Sequence, residues 1–124
     1  MKRTKKTIQV TIRFHGDGVV RSTQGGKRIE GGTIIPKLGE NVRILICEGD
    51  GEGGYRGIDK GSFGIHILGN TRGFRALGEY FLSLAELNTS QDLNYHDHFS
   101  EVASFYETKI DIVVRKNPKA DFCV

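Results

Sequence analysis

Near the start of the chain Ile8, Val10, Ile12 and Phe14 alternate with Gln9, Thr11 and Arg13. Alternation with a period of two is what a strand with one dry and one wet face requires, and it favours an antiparallel sheet. His15-Gly16-Asp17-Gly18 follows, rich in residues that tolerate positive φ, so the spacing predicts a hairpin that returns through Val19 and Val20. Thr33-Ile34-Ile35 stops at Pro36, and Val42 to Cys47 is a denser β-branched run; both predict strands, with Cys47 as a small core residue. Phe63, Ile65 and Ile67 resume the alternation on a face opposite His66, and Ile110, Ile112 and Val114 repeat it in a last strand over 109–115.

One segment has a helical period instead. Between Asn70 and Leu87, Phe74, Leu77, Gly78, Phe81, Leu84 and Ala85 fall in one arc, and Arg72, Arg75, Glu79, Ser83 and Glu86 fall opposite. Asn70 or Thr71 is the candidate N-cap. Gly78 lies inside the apolar arc at a propensity cost of about 1 kcal/mol relative to Ala, which predicts a close approach of backbone to the sheet there. The expected fold is α+β: a mostly antiparallel sheet with one amphipathic helix, about 71–87, packed on one face, in a single domain over 1–124.

Composition narrows the function more than the fold. At 124 residues the chain should bury roughly two-thirds of its unfolded surface and need no metal or disulfide for stability. The net charge of +3 is concentrated in a basic arm over 1–5, continued by Lys6. So short a run reads as a solvated terminus, and nucleic acid is not the expected partner. No apolar stretch approaches the roughly 20 residues of a membrane span, which predicts a cytoplasmic protein with Cys47 and Cys123 as free thiols. The glycine-rich stretch over 49–62 reads as a flexible loop whose Tyr55 and Arg56 are of the types that anchor protein partners. It lacks the pattern of a phosphate-binding loop, and no cofactor is implied. Whether copies of the chain associate with one another is open.

The densest polar group is Tyr95-His96-Asp97-His98-Phe99. In an extended segment His96 and His98 share a face and can hold one metal ion; on a helix they would diverge by about 200°. His66, His15 or Asp97 could add a third ligand if the fold brought one near. Against this alternative, a metal-dependent enzyme or metal-binding protein using the His96-Asp97-His98 segment, stands the reading that these histidines hydrogen-bond nearby backbone. No serine has a nucleophile-elbow context and no residue is assigned as catalytic. The favoured reading is a small non-catalytic protein-binding domain with Tyr55, Arg56, His66, His96 and His98 as candidate binding residues.

Four short stretches carry a resemblance: Gly64-Ile65-His66-Ile67-Leu68-Gly69-Asn70, Gly73-Phe74-Arg75-Ala76-Leu77, Leu84-Ala85-Glu86-Leu87, and Tyr95 to Phe99. Together they resemble the core of the bacterial polymorphic-toxin immunity proteins of the immunity protein 32 type, over about residues 64–99. There too a strand ending in glycine runs into a leucine- and alanine-bearing helix followed by a histidine-containing segment. The resemblance implies a cytoplasmic antidote that binds and neutralises a cognate toxin without catalysis, with the histidines structural or interfacial. Many nuclease antidotes are acidic because their targets are basic, so the basic charge here speaks against a nuclease-type target.

Overall fold

The computed structural model describes residues 3–22, 29–37, 40–49, 61–99, 103–104 and 112–118. In chain order the elements are β1 (Arg21–Ser22), β2 (Ile29–Glu30), β3 (Val42–Glu48), β4 (Phe63–Gly69), α1 (Thr71–Glu86), β5 (His96–Phe99), β6 (Ala103–Ser104) and β7 (Ile112–Arg115). Among the described residues these form three small sheets, ordered β1-β2, β4-β3-β6 and β5-β7. Among the described residues the strand pairings are antiparallel except the short parallel contact of β3 with β6. The fold is thus a small α+β arrangement with one helix. Met1 and Lys2 of the N-terminal arm, and the glycine-rich stretch from Asp50 to Lys60 with Tyr55 and Arg56, lie outside the described residues, as does the side chain of Cys47.

α1 begins where Asn70 accepts a hydrogen bond from the Gly73 N–H at 2.8 Å, which satisfies one of the donors that a helix start leaves unpaired. The Asn70 side chain also donates to Asn41 at 2.8 Å, and its N–H donates to the Asn41 carbonyl at 3.0 Å, so the cap is tied to the chain entering β3. At the other end, Lys116 donates to the carbonyls of Ala85 and Leu87 at 2.6 and 2.7 Å. A cation there satisfies otherwise orphaned acceptors and complements the helix dipole.

The helix packs through a different arc from the one its sequence suggests. Gly73, Tyr80, Ser83 and Leu84 are buried, and Leu77 is partly buried against the core; Phe74, Gly78, Phe81 and Ala85 are exposed. The buried face is turned by roughly one residue, about 100°, from the predicted centre. Two contacts explain the turn. Any Cβ at Gly73 would collide with the backbone of Asn41 and the Val42 side chain, so the close approach predicted at Gly78 occurs at Gly73, while Gly78 faces open space. Ser83, expected on the wet face, is buried and accepts the Arg13 N–H at 3.1 Å.

The core joins Val42 and Ile44 of β3, Tyr80 and Leu84 of α1, and Tyr95 and Phe99 around β5, closed by Val20 and Leu87. Tyr80 and Phe99 meet edge to face with centroids 5.1 Å apart. β7 adds Ile112 and Val114, as its alternation predicts.

Two strand expectations are corrected. Residues 7–13 form no strand among the described residues; Phe14 makes an isolated bridge to Thr33, and the segment runs beside α1 with Ile8 and Ile12 exposed. The turn at 15–18 does form, with Gly16 and Gly18 at positive φ, but it is not the turn of the predicted hairpin. After it the chain bridges the loop beyond α1, where Val20 donates to Asn88 and Asn88 to Gly18, each at 2.9 Å. Thr33 to Ile35 likewise contributes only the bridge at Thr33. Alternation records two-sidedness, and a segment laid between helix and solvent has two sides as surely as a strand does. β4 forms where expected, but its predicted core face is uncovered: Phe63, Ile65 and Ile67 are 65, 66 and 54% exposed, whereas His66 is partly buried.

The rotated helix gives a paired outcome. Gly73→Ala should destabilise the domain by about 2 kcal/mol or more through the forced backbone shift, whereas Gly78→Ala should stabilise it by up to about 1 kcal/mol. Leu84→Asp should cost several times what Phe81→Asp costs, because only the first buries a charge. Thermal melting of the four variants checks the register.

Candidate functional site

Where β5 emerges, alternation sorts the polar pentapeptide into two faces. Tyr95, Asp97 and Phe99 point into the core, and His96 and His98 point outward. Asp97 is 6% exposed and accepts three hydroxyl hydrogen bonds. Tyr95 donates to Oδ1 at 2.7 Å; Tyr80, from α1, donates to Oδ2 at 2.6 Å; the Thr33 hydroxyl donates to Oδ2 as well. The Tyr95 oxygen in turn accepts the Thr33 N–H at 3.0 Å. A buried carboxylate group requires such partners, since an unmet acceptor in the interior costs far more than a bond gains.

Burial, reinforced by hydrogen bonding and charge from Asp97, raises the Tyr80 phenol well above its ordinary range. Burial also raises Tyr95, although its contacts with Thr33 oppose the shift. Both phenols are therefore held as neutral donors. The cluster ties helix, strand and the Thr33 segment together. Sequence reading treated Asp97 only as a potential metal ligand. The signal that it is buried lies in its neighbours, because Tyr95 and Phe99 sit two positions away on either side and share its face.

The outward face realises the extended geometry in which the two histidines share a side. Their ring centroids are 4.8 Å apart at 72°. His96 Nδ1 lies 2.8 Å from the Asn94 carbonyl, to which it donates, so the ring orientation is fixed by a backbone acceptor. Asp97 cannot join them, being turned inward. His66 lies in the β4-β3-β6 sheet and His15 in the turn whose N–H meets Gly32, so the fold does not gather these four side chains in one sheet or turn. Among the described residues no three His, Cys, Asp or Glu side chains are grouped to hold a metal ion. Arg115 stands directly across from His96 on β7, placing a cation beside the pair.

A concave feature lies on α1. Phe74, Gly78 and Leu82 form a ridge with a dent at its centre, and Ile8 and Val10 face them across a half-open groove of about 730 Å³, with Arg75 and Glu79 at its rim. Phe74, Leu82 and Ile8 remain about half exposed. Nothing lies within 4 Å of the position a Cβ would take at Gly78. His66, His96 and His98 do not line this groove, and Tyr55 and Arg56 lie outside the described residues. The excess of apolar positions on α1, wider than one core-facing arc needs, was the sequence signal for it.

Two outcomes follow from the Asp97 cluster. Asp97→Asn should cost about 2 to 4 kcal/mol, because an amide NH2 then faces hydroxyl donors, and Tyr80→Phe about 1 to 3 kcal/mol. For the phenols the folded pKa lies above the unfolded value of 10.0, so stability is fully present below pH 10 and is lost as pH rises beyond it. Of the four tyrosines, Tyr80 and Tyr95 should show phenolate absorbance only as the protein unfolds in alkali. The chain matches no known protein family, no curated protein and no solved structure.

Proposed function

We propose that this chain is a non-catalytic protein-binding domain whose partner inserts an apolar side chain into the dent at Gly78 on the outer flank of α1. One observation carries the reading: a helix interior position that costs stability as glycine is left open to solvent between two exposed large side chains, Phe74 and Leu82. Solvent-facing glycine contributes nothing to the core, whereas a depression between apolar walls is what an inserted anchor requires. Arg75 and Glu79 at the rim supply charges that orient the incoming segment. On the resemblance to immunity protein 32, the partner is a cognate bacterial toxin that the chain neutralises by occupying its surface. The net charge of +3 suits a target that is not itself strongly basic.

A second reading rests on the histidine pair. Two imidazoles on one face of an extended strand favour binding of a transition ion, as in the metal-binding alternative, although Arg115 beside them opposes it.

Gly78→Leu separates the groove reading from a merely structural one, because it fills the dent while raising helix propensity. It should leave the fold intact by circular dichroism and melting, yet weaken partner binding at least about tenfold and abolish rescue of cells expressing the cognate toxin. Undiminished rescue by a folded Gly78→Leu protein would reject the groove. For the histidines, a copurified ion near one equivalent, lost on replacing both by Gln, would favour the metal reading instead.

A further inference from the structure

β4 is the outer strand of its sheet, and its backbone has a definite polarity. Gly49 donates to the Ser62 carbonyl at 2.7 Å and Asn70 to the Asn41 carbonyl at 3.0 Å. These flank a register running from Val42 opposite Gly69 to Glu48 opposite Phe63. The even-numbered residues of β4 therefore turn their N–H and C=O groups toward β3. Phe63, Ile65, Ile67 and Gly69 turn theirs to the outer edge, where no strand pairs among the described residues. The same residues carry the uncovered apolar face. Between Phe63 and Gly69 there is no Lys, Arg, Asp, Glu or Pro, the residues that usually guard an edge.

We propose that a second copy of this chain pairs antiparallel with β4 about a two-fold axis through His66. In that register Ile65 faces the partner's Ile67 and Phe63 faces the partner's Gly69. The four outward residues of each strand then meet as hydrogen-bonded pairs, forming up to about eight backbone bonds. A slip of one residue would set outward groups against inward ones, and a slip of two would leave both Phe63 side chains without a glycine to cover. The pairing brings no charged residue of one strand opposite a charged residue of the other. At Gly69 the Phe74 ring already stands 3.0 Å from where a Cβ would be, so the partner's Phe63 completes an aromatic cover over a glycine.

Phe63, Ile65, Ile67 and Phe74 together offer roughly 400 Å² of exposed apolar surface per copy. That is small against the interfaces of permanent dimers, which fixes the association as reversible and concentration-dependent. The inference uses the backbone edge of β4 rather than the dent at Gly78, with which it shares only the Phe74 side chain.

Sedimentation equilibrium of the full chain from about 1 to 500 µM should show the mass rising from 13.8 kDa toward twice that value, with a dissociation constant in the micromolar range. Ile65→Pro removes an outward N–H without touching a bond to β3, and should hold the folded protein at the monomer mass. Should that variant unfold, His66→Cys decides: opposite residues in a non-hydrogen-bonded pair have Cα atoms about 4.5 Å apart, within disulfide reach, so mild oxidation should give a dimer linked from position 66 to position 66. A monomer mass throughout, a dimer that a folded Ile65→Pro protein retains, or oxidised dimers lacking the 66–66 link would each overturn the proposal.

Discussion

The three hydroxyl bonds to Asp97 are the constraint on which the remaining packing depends. They gather a donor from the Thr33 segment, one from α1 and one from the residue entering β5, three pieces that no common sheet joins. Hydrophobic contact alone would hold these pieces loosely, because apolar surfaces slide and rotate at little cost. A buried acceptor does not permit sliding: each displaced donor leaves it short of a partner in a medium without water. The rotation of α1 is thereby pinned at Tyr80, with Gly73 against Asn41 at one end and Lys116 over the last carbonyls at the other.

Much of this architecture is legible in the chain. The β-branched run from Val42, the alternation from Phe63 and the periodic segment after Asn70 each give the right element at nearly the right bounds. Partnership was not legible. Ile8 to Phe14 alternates as cleanly as β4 does, yet its Arg13 N–H goes to Ser83 on the helix rather than to a strand. The helix arc was misjudged because apolar residues span more of α1 than the core covers, and side-chain character alone cannot say which part of a wide stripe is dry. Gly73 reveals its role only through what lies beside it.

The candidate site divides in the same way. Sequence identifies the His96 and His98 pair and the geometry that would let them act together, and β5 is indeed extended. It cannot show that Asp97 between them is already committed to Tyr80, Tyr95 and Thr33, because those partners lie up to 64 residues away. The surface features, by contrast, share one cause. Both α1 and β4 carry more apolar side chains than this small core accommodates, and the surplus faces solvent as the ridge at Phe74 and Leu82 and the stripe at Phe63, Ile65 and Ile67.

Lys116 also bears on how the molecule is assembled. α1 is complete in sequence at Glu86, yet two of the carbonyls at its C-terminal end are satisfied by a side chain 29 and 31 residues further on. During synthesis the helix would therefore emerge before its cap and before the carboxylate that fixes Tyr80. Contacts of such long sequence separation slow folding, since the loop between them must close before any gain is realised. Until Lys116 has been made, the carbonyls of Ala85 and Leu87 lack the side-chain donor that they have in the finished fold, and a chain stopped short of β7 also lacks the cover that Ile112 and Val114 give the core.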